Sequence, residues 1–279
     1  EYTSADVVLL GDSFIEGWYV SDGETCADRL AESTGLAVAN LGQSGYGTLQ
    51  EWGMFELEGL KLAPRLLCWF FYEGNDLYND QDFKYLLDYY KEKYASPEES
   101  RPRTGVGGIK FGKASFTVNA FAVLRRACDW LVPNEAPYSG WFREQTGQRR
   151  RIYFYSECLG DVADFEIEQL EVTRSTLAHA KSVCDERGIS LLVCYIPTKF
   201  RVYGDFCEFD EASPCRRWRM WDLPDRFARF CQEDQVPFLD LTGPMRDAAR
   251  AGTLLYAPQD SHWDAAAHRR ARTSRSCSS

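Results

Sequence analysis

Histidine is scarce in this chain: 279 residues hold only His179, His262 and His268. Three isolated imidazoles make no metal-binding cluster, and the sequence has neither a P-loop nor a G-x-G-x-x-G turn behind a strand, so no metal or nucleotide cofactor is implied. None of the ten cysteines forms a C-x-x-C pair, which argues against zinc ribbons and thioredoxin-like sites. Apolar runs are strand-sized, well short of the ~18–20 residues a bilayer span needs. Residues 1–25 lack the basic-then-apolar layout of a signal peptide. Basic residues are in deficit, 32 Lys and Arg against 42 Asp and Glu, for a net charge of −10. That balance speaks against a nucleic-acid partner, which requires a basic footprint.

What is present is ordinary globular composition, 44% hydrophobic and 27% charged, on a chain long enough to bury a core without staples. Cys68 and Cys194 lie inside apolar runs and read as buried thiols. Cys207 and Cys215 flank an acidic loop at a spacing suited to a local disulfide. With an opening at Glu1 rather than Met, which reads as trimmed, that pair tilts the expected compartment toward periplasmic or secreted. The basic runs Arg149-Arg150-Arg151 and Arg216-Arg217-Trp218-Arg219 read first as solvated faces, with steering of an anionic substrate as the alternative.

Val7–Leu10 is a β-branched and leucine run stopped by Gly11, the pattern of a buried parallel strand. Further strands are expected at Leu36–Asn40, Arg65–Tyr72, Ile189–Ile196 and Val236–Leu241. Between and after them lie helices at Thr25–Thr34, Thr48–Leu60, Phe165–Arg187, Trp221–Asp234, Pro244–Arg250 and Ala265–Arg272. Alternation of this kind predicts a three-layer α/β/α sandwich on a parallel sheet of about five strands. From about 80 to 164 the rhythm breaks. That stretch holds a Tyr-rich helix candidate (Phe83–Tyr94), a Pro/Gly-rich segment (97–112), a helix candidate (Phe116–Leu131) and an aromatic, basic segment. It reads as a mainly helical insertion in a single domain spanning 1–279, placed to shape a pocket mouth. A second, shorter excursion spans Pro197–Met220, and the tail 268–279 lacks Leu, Ile, Val and Phe.

Four segments fall at the carboxyl ends of expected strands or near the chain's end. Gly11-Asp12-Ser13-Phe14 follows the first strand, where open α/β sheets bind ligands and where helix amides face outward. Asn40 to Gly47 follows the second, its glycines letting backbone amides approach a substrate. Glu73-Gly74-Asn75-Asp76 follows the third, and Asp260-Ser261-His262-Trp263 brings an imidazole with a carboxylate two residues before it. Of the three histidines, His179 falls mid-helix, suited to a surface or packing role, and His268 on the last helix, suited to packing or capping. Only His262 has a carboxylate close by on a loop entering a helix.

In this order the four segments resemble the blocks of the SGNH (GDSL-type) hydrolase superfamily. The resemblance implies its flavodoxin-like fold, Ser13 as nucleophile, His262 as general base and Asp260 as the group orienting it. It also implies an oxyanion hole from the amides of Ser13 and Gly45 and the side chain of Asn75. Pro197-Thr198-Lys199 with Val202-Tyr203, together with the His262-Trp263 pair, is similar to the alginate O-acetyltransferase branch. Asp12, Lys199 and Tyr203 are accordingly further candidates for substrate contact. Three readings compete: a serine esterase, a carbohydrate O-acetyltransferase using the same residues, and a non-catalytic carbohydrate-binding module. The intact Ser13, Asp260 and His262 count against the last. The expected partner is a small-molecule or carbohydrate acyl ester, which the aromatic residues Tyr89, Tyr90, Tyr94, Trp130, Tyr138, Trp141, Tyr153 and Tyr155 could cover.

Overall fold

The structure, a computed structural model, describes residues 3–94, 138–160 and 164–271. The helix candidate Phe116–Leu131, the 97–112 segment, Cys128, Trp130, Cys277 and residues 272–279 of the tail lie outside the described residues.

Strand β1 (Val7–Leu10) leads into the one-turn helix α1 (Ser13–Glu16). Helix α2 (Cys26–Thr34) starts at a capping box, in which the Thr25 hydroxyl accepts from the Asp28 N–H and the Asp28 carboxylate from the Thr25 N–H. Strand β2 (Val38–Asn40), helix α3 (Thr48–Met54) and strand β3 (Leu66–Tyr72) follow. The expected helix to Leu60 loses α geometry at Phe55–Gly59, which is a π-helical turn. Gly59 there lies so close to the Phe55 ring that a Cβ would stand 2.3 Å from it.

Helix α4 (Asp76–Tyr94) starts seven residues earlier than expected. The aromatic, basic segment forms a hairpin, β4 (Ser139–Arg143) and β5 (Arg149–Tyr153), that its run of arginines had not suggested. Next come α5 (Asp164–Arg187), β6 (Ser190–Ile196), α6 (Lys199–Tyr203) and the two-residue β7 (Cys207–Glu208). Helix α7 (Leu223–Glu233), β8 (Phe238–Asp240), α8 (Thr242–Arg250) and α9 (Ala265–Ala271) complete the order.

Five strands build one parallel sheet in the order β2-β1-β3-β6-β8. This is the doubly wound arrangement expected from the sequence, with strand order reversing beside β1. Successive side chains of β3 enter opposite cores: Leu67, Trp69 and Phe71 pack on one face, Cys68, Phe70 and Tyr72 on the other. Burial on both faces is why these strands read as continuous apolar runs rather than alternating ones. The small antiparallel sheet β5-β4-β7 is separate. Chain contacts define two compact units, Glu1–Lys84 with Tyr138–Ser279, and Tyr85–Pro137; both sheets belong to the first.

Cys68 and Cys194 are buried as expected, but Cys207 and Cys215 are free thiols. The local disulfide read from their spacing is not formed, so it lends no support to an oxidising compartment. Among the described residues no helix is long and apolar enough to cross a membrane.

Candidate active site

Ser13 is the first residue of α1 at the carboxyl end of β1. Asp12 caps that helix, its carboxylate accepting from the Phe14 N–H at 2.9 Å. The cap leaves Ser13 with its backbone N–H unpaired among the described residues. Gly45, exposed at φ +78°, likewise has an unpaired N–H among them. The turn that carries it is tied down by the Glu16 carboxylate, which accepts from the Ser44 N–H at 2.8 Å and from the Ser44 hydroxyl. Gly42 permits this approach, since a Cβ there would lie 2.3 Å from the Glu16 nitrogen.

His262 Nε2 stands 2.7 Å from Ser13 Oγ, and its Nδ1 hydrogen-bonds Asp260 Oδ1. The same carboxylate oxygen accepts from the His262 backbone N–H at 2.9 Å. Burial works to raise the Asp260 carboxyl, but the hydrogen bonds from His262 and the nearby charges outweigh it and hold it below the usual carboxylate range. An ionised Asp260 fixes the ring proton on Nδ1 and leaves Nε2 as the acceptor for the Ser13 hydroxyl. Phe14 stacks obliquely on the imidazole at 5.1 Å and meets Trp263 edge-on at 5.4 Å, so the ring is held from below as well. The last helix is capped by Asp264, whose carboxylate accepts from the Ala266 and Ala267 N–H groups, so Asp260 is not engaged there.

The other histidines pack and cap. His268 is buried, and its Nδ1 accepts the Cys26 N–H at the start of α2. His179 is half-exposed with its ring edge-on to Trp52.

The Asn75 side chain helps hold the buried Asp12 carboxyl down, alongside the Phe14 N–H at 2.9 Å and the Ser13 hydroxyl at 3.3 Å, against the larger effect of burial, which raises it. If Asn75 donates to the oxyanion, Asn75→Ala lowers kcat by about 100–1000-fold and leaves KM within a few-fold. Steady-state kinetics on a p-nitrophenyl ester measure that split.

Three sequence candidates for substrate contact turn out to be spent inside the protein. Asp12 is buried under Ser13 as described. Tyr203 is buried, its hydroxyl donating to the Thr253 carbonyl and accepting from the Leu255 N–H. Lys199 is buried and directs its ammonium to three backbone carbonyls. All three are buried and hydrogen-bonded to groups of the protein among the described residues. Of the basic runs, Arg216 and Arg219 line a cavity of about 530 Å³ with Phe200, Phe209 and Trp218, apart from the Ser13–His262–Asp260 cluster.

Sequence reading missed a group of carboxyls around the site. Glu51, Asp76 and Asp80 are fully buried; burial first, then the Asp12 and Asp80 charges, push Glu51 well above the carboxylate range, burial and then the Glu51 and Asp12 charges do the same to Asp76, and burial pushes Asp80 to about 6. Glu157 accepts the Tyr72 hydroxyl at 2.8 Å and is raised to about 7 by burial, with the Glu73 charge adding to it. The motif had marked Asp76, but nothing in composition or spacing flags the depth of the others.

Residues 153–274 match the family model described as "SGNH hydrolase-like domain, acetyltransferase AlgX". The matched span includes Lys199, Tyr203, Asp260 and His262, and with it the resemblance to the SGNH superfamily read from the sequence stands. No curated protein matches the chain. Among solved structures, a G-D-S-L family protein from Desulfitobacterium hafniense DCB-2 is similar at 11% identity and TM-score 0.48, covering 95% of this chain and 97% of that one. An acetyl xylan esterase, AlAXEase, is similar at 8% identity and TM-score 0.48, covering 95% of each chain. A variant of Axe2, an acetylxylan esterase from Geobacillus stearothermophilus, is similar at 13% identity and TM-score 0.45, covering 98% of this chain and 92% of that one.

Proposed function

We propose that this protein is a serine esterase that cleaves an acyl ester through an acyl-enzyme on Ser13. The observation that carries the reading is one imidazole facing Ser13 Oγ at 2.7 Å with one ring nitrogen and Asp260 with the other. A serine hydroxyl is a poor nucleophile near neutral pH until a base takes its proton. As Ser13 Oγ attacks the acyl carbon, its proton passes to His262 Nε2, and Asp260 stabilises the imidazolium. The carbonyl oxygen, now an anion, meets the unpaired N–H groups of Ser13 and Gly45 and the Asn75 side-chain amide. Collapse breaks the ester C–O bond, and the leaving alkoxide takes the proton from His262. Water then repeats the sequence on the acyl-enzyme, releasing acid and restoring Ser13.

A second reading is favoured by the acetyltransferase in the matched family description. There, a sugar hydroxyl replaces water in the second half, and every residue keeps its role. The two are separated by incubating the protein with a panel of p-nitrophenyl esters, with and without an oligosaccharide, and weighing the products. Free acid in both arms supports the esterase, and acylated sugar supports the transferase. No p-nitrophenol release from any ester would overturn both.

A further inference from the structure

A lysine that serves only packing usually bends its ammonium out to water. Lys199 does the opposite. It is 2% exposed, and its Nζ donates to the carbonyls of Ala257 at 2.6 Å, Pro258 at 2.8 Å and Asp260 at 3.1 Å. An ammonium has three protons, and here each has an acceptor. All three acceptors belong to the short segment that delivers Asp260 and His262. That segment closes on itself, the Ala257 N–H donating to the His262 carbonyl at 2.9 Å. Its outer side is pinned by the Tyr153 N–H, which donates to the Pro258 carbonyl at 2.9 Å.

The lysine itself is anchored to the sheet. Glu73, directly after β3, accepts from the Thr198 N–H at 2.5 Å and pairs with Arg201 at 2.7 Å, and these two residues flank Lys199 on α6. Placing three charged side chains in the interior carries a large desolvation cost, and good geometry with complete hydrogen bonding is what offsets it. Such a device suits a part that must not shift.

We propose that Lys199 is a positioning residue. Braced by Glu73 and Arg201, it pins the Ala257–Asp260 segment so that Asp260 and His262 meet Ser13. The proposal rests on the esterase reading for its kinetic consequences, though not for its structural ones. The titratable groups facing the ammonium are Asp260 on the segment it holds and Cys207 on β7. Burial lowers the Lys199 ammonium to about 7, against the opposing pull of Asp260. Loss of one proton leaves two donors for three carbonyls, so activity declines on the alkaline side through this ionisation.

The test compares the parent protein with Lys199→Met, Lys199→Gln and, as a surface control, Lys61→Met. Displacing a catalytic pair by about 1 Å costs roughly 100-fold in rate, so Lys199→Met is expected to lose about that in kcat with KM within threefold. Lys199→Gln, which keeps two donors, falls between it and the parent. The alkaline limb seen in the parent is absent from both variants. Proton NMR supplies a readout that needs no substrate: the strongly deshielded Nδ1 proton that His262 shares with Asp260 is present in the parent and lost in Lys199→Met. If Lys199→Met does not fold, Lys199→Gln carries the same comparison. Unchanged kcat with a retained Nδ1 proton overturns the brace. Should the parent turn over no ester, loss of that proton still supports the brace while the esterase reading fails, and its retention overturns the brace too.

Discussion

Ser13→Ala is expected to lower acyl-ester turnover by about 10⁴–10⁶-fold while leaving the melting temperature nearly unchanged. The hydroxyl touches only His262 and Asp12, both of which keep their other partners. Ser13 belongs to neither apolar core, whereas its neighbours Phe14 and Ile15 do, so the core loses little. A fluorophosphonate should label the parent on Ser13 and leave the variant unlabelled. Mass spectrometry of the labelled peptide checks this, and modification at a different serine would remove Ser13 from the mechanism.

The second large effect is expected for Asp260→Asn, about 10⁴-fold in kcat. An amide at this position can present a donor to Nδ1, which moves the ring proton to Nε2 and turns the base away from Ser13. Because the folded-state pKa of Asp260 is depressed, its contribution is present above the ordinary aspartate value near 3.8 and is lost only as pH falls through the lower folded value. Asp260 therefore stays ionised across the neutral range, and the carboxylate is the form that partners Nδ1. Steady-state kinetics of the Asp260→Asn variant check the expected loss, and a kcat within a few-fold of the parent would leave His262 without a partner.

The sheet was legible because parallel strands buried on both faces announce themselves as apolar runs closed by glycine or a polar motif, as at Val7–Leu10 and Arg65–Tyr72. Candidate site residues could be picked out where the proposed chemistry demands a short local pattern: Asp260 and His262 are two apart, and Ser13 stands three residues past the end of β1. Legibility failed where the deciding partner is far off in sequence. Asp76 reads as part of a motif, yet its carboxylate accepts the Tyr72 N–H, and α4 starts there rather than at Phe83. The β4–β5 hairpin hid behind Arg149–Arg151 because only its inward residues, such as Phe142 and Ile152, carry the buried pattern. Lys199 and Tyr203 resembled loop residues open to a ligand. Their carbonyl partners lie 50 to 61 residues further on, beyond the reach of any local pattern.

The buried carboxyls near Ser13 also bear on how the molecule behaves in an electric field. The formal charge of −10 counts every acid as ionised, although Glu51 and Asp76 are held well above the carboxylate range by their surroundings. Folding at neutral pH thus takes up protons that the unfolded chain has released. The native protein should focus at a higher isoelectric point than the same chain in urea, and refolding in weak buffer should make the solution more alkaline. Raised folded-state values also fix the sign of the linkage: this stabilisation is complete below the ordinary carboxyl range near 4. It drains away as pH climbs through the ionisations of Asp80 near 6 and Glu157 near 7. Seen this way, the ground behind the nucleophile is a reservoir of bound hydrogen ions, and the acidity of the composition overstates the acidity of the folded surface.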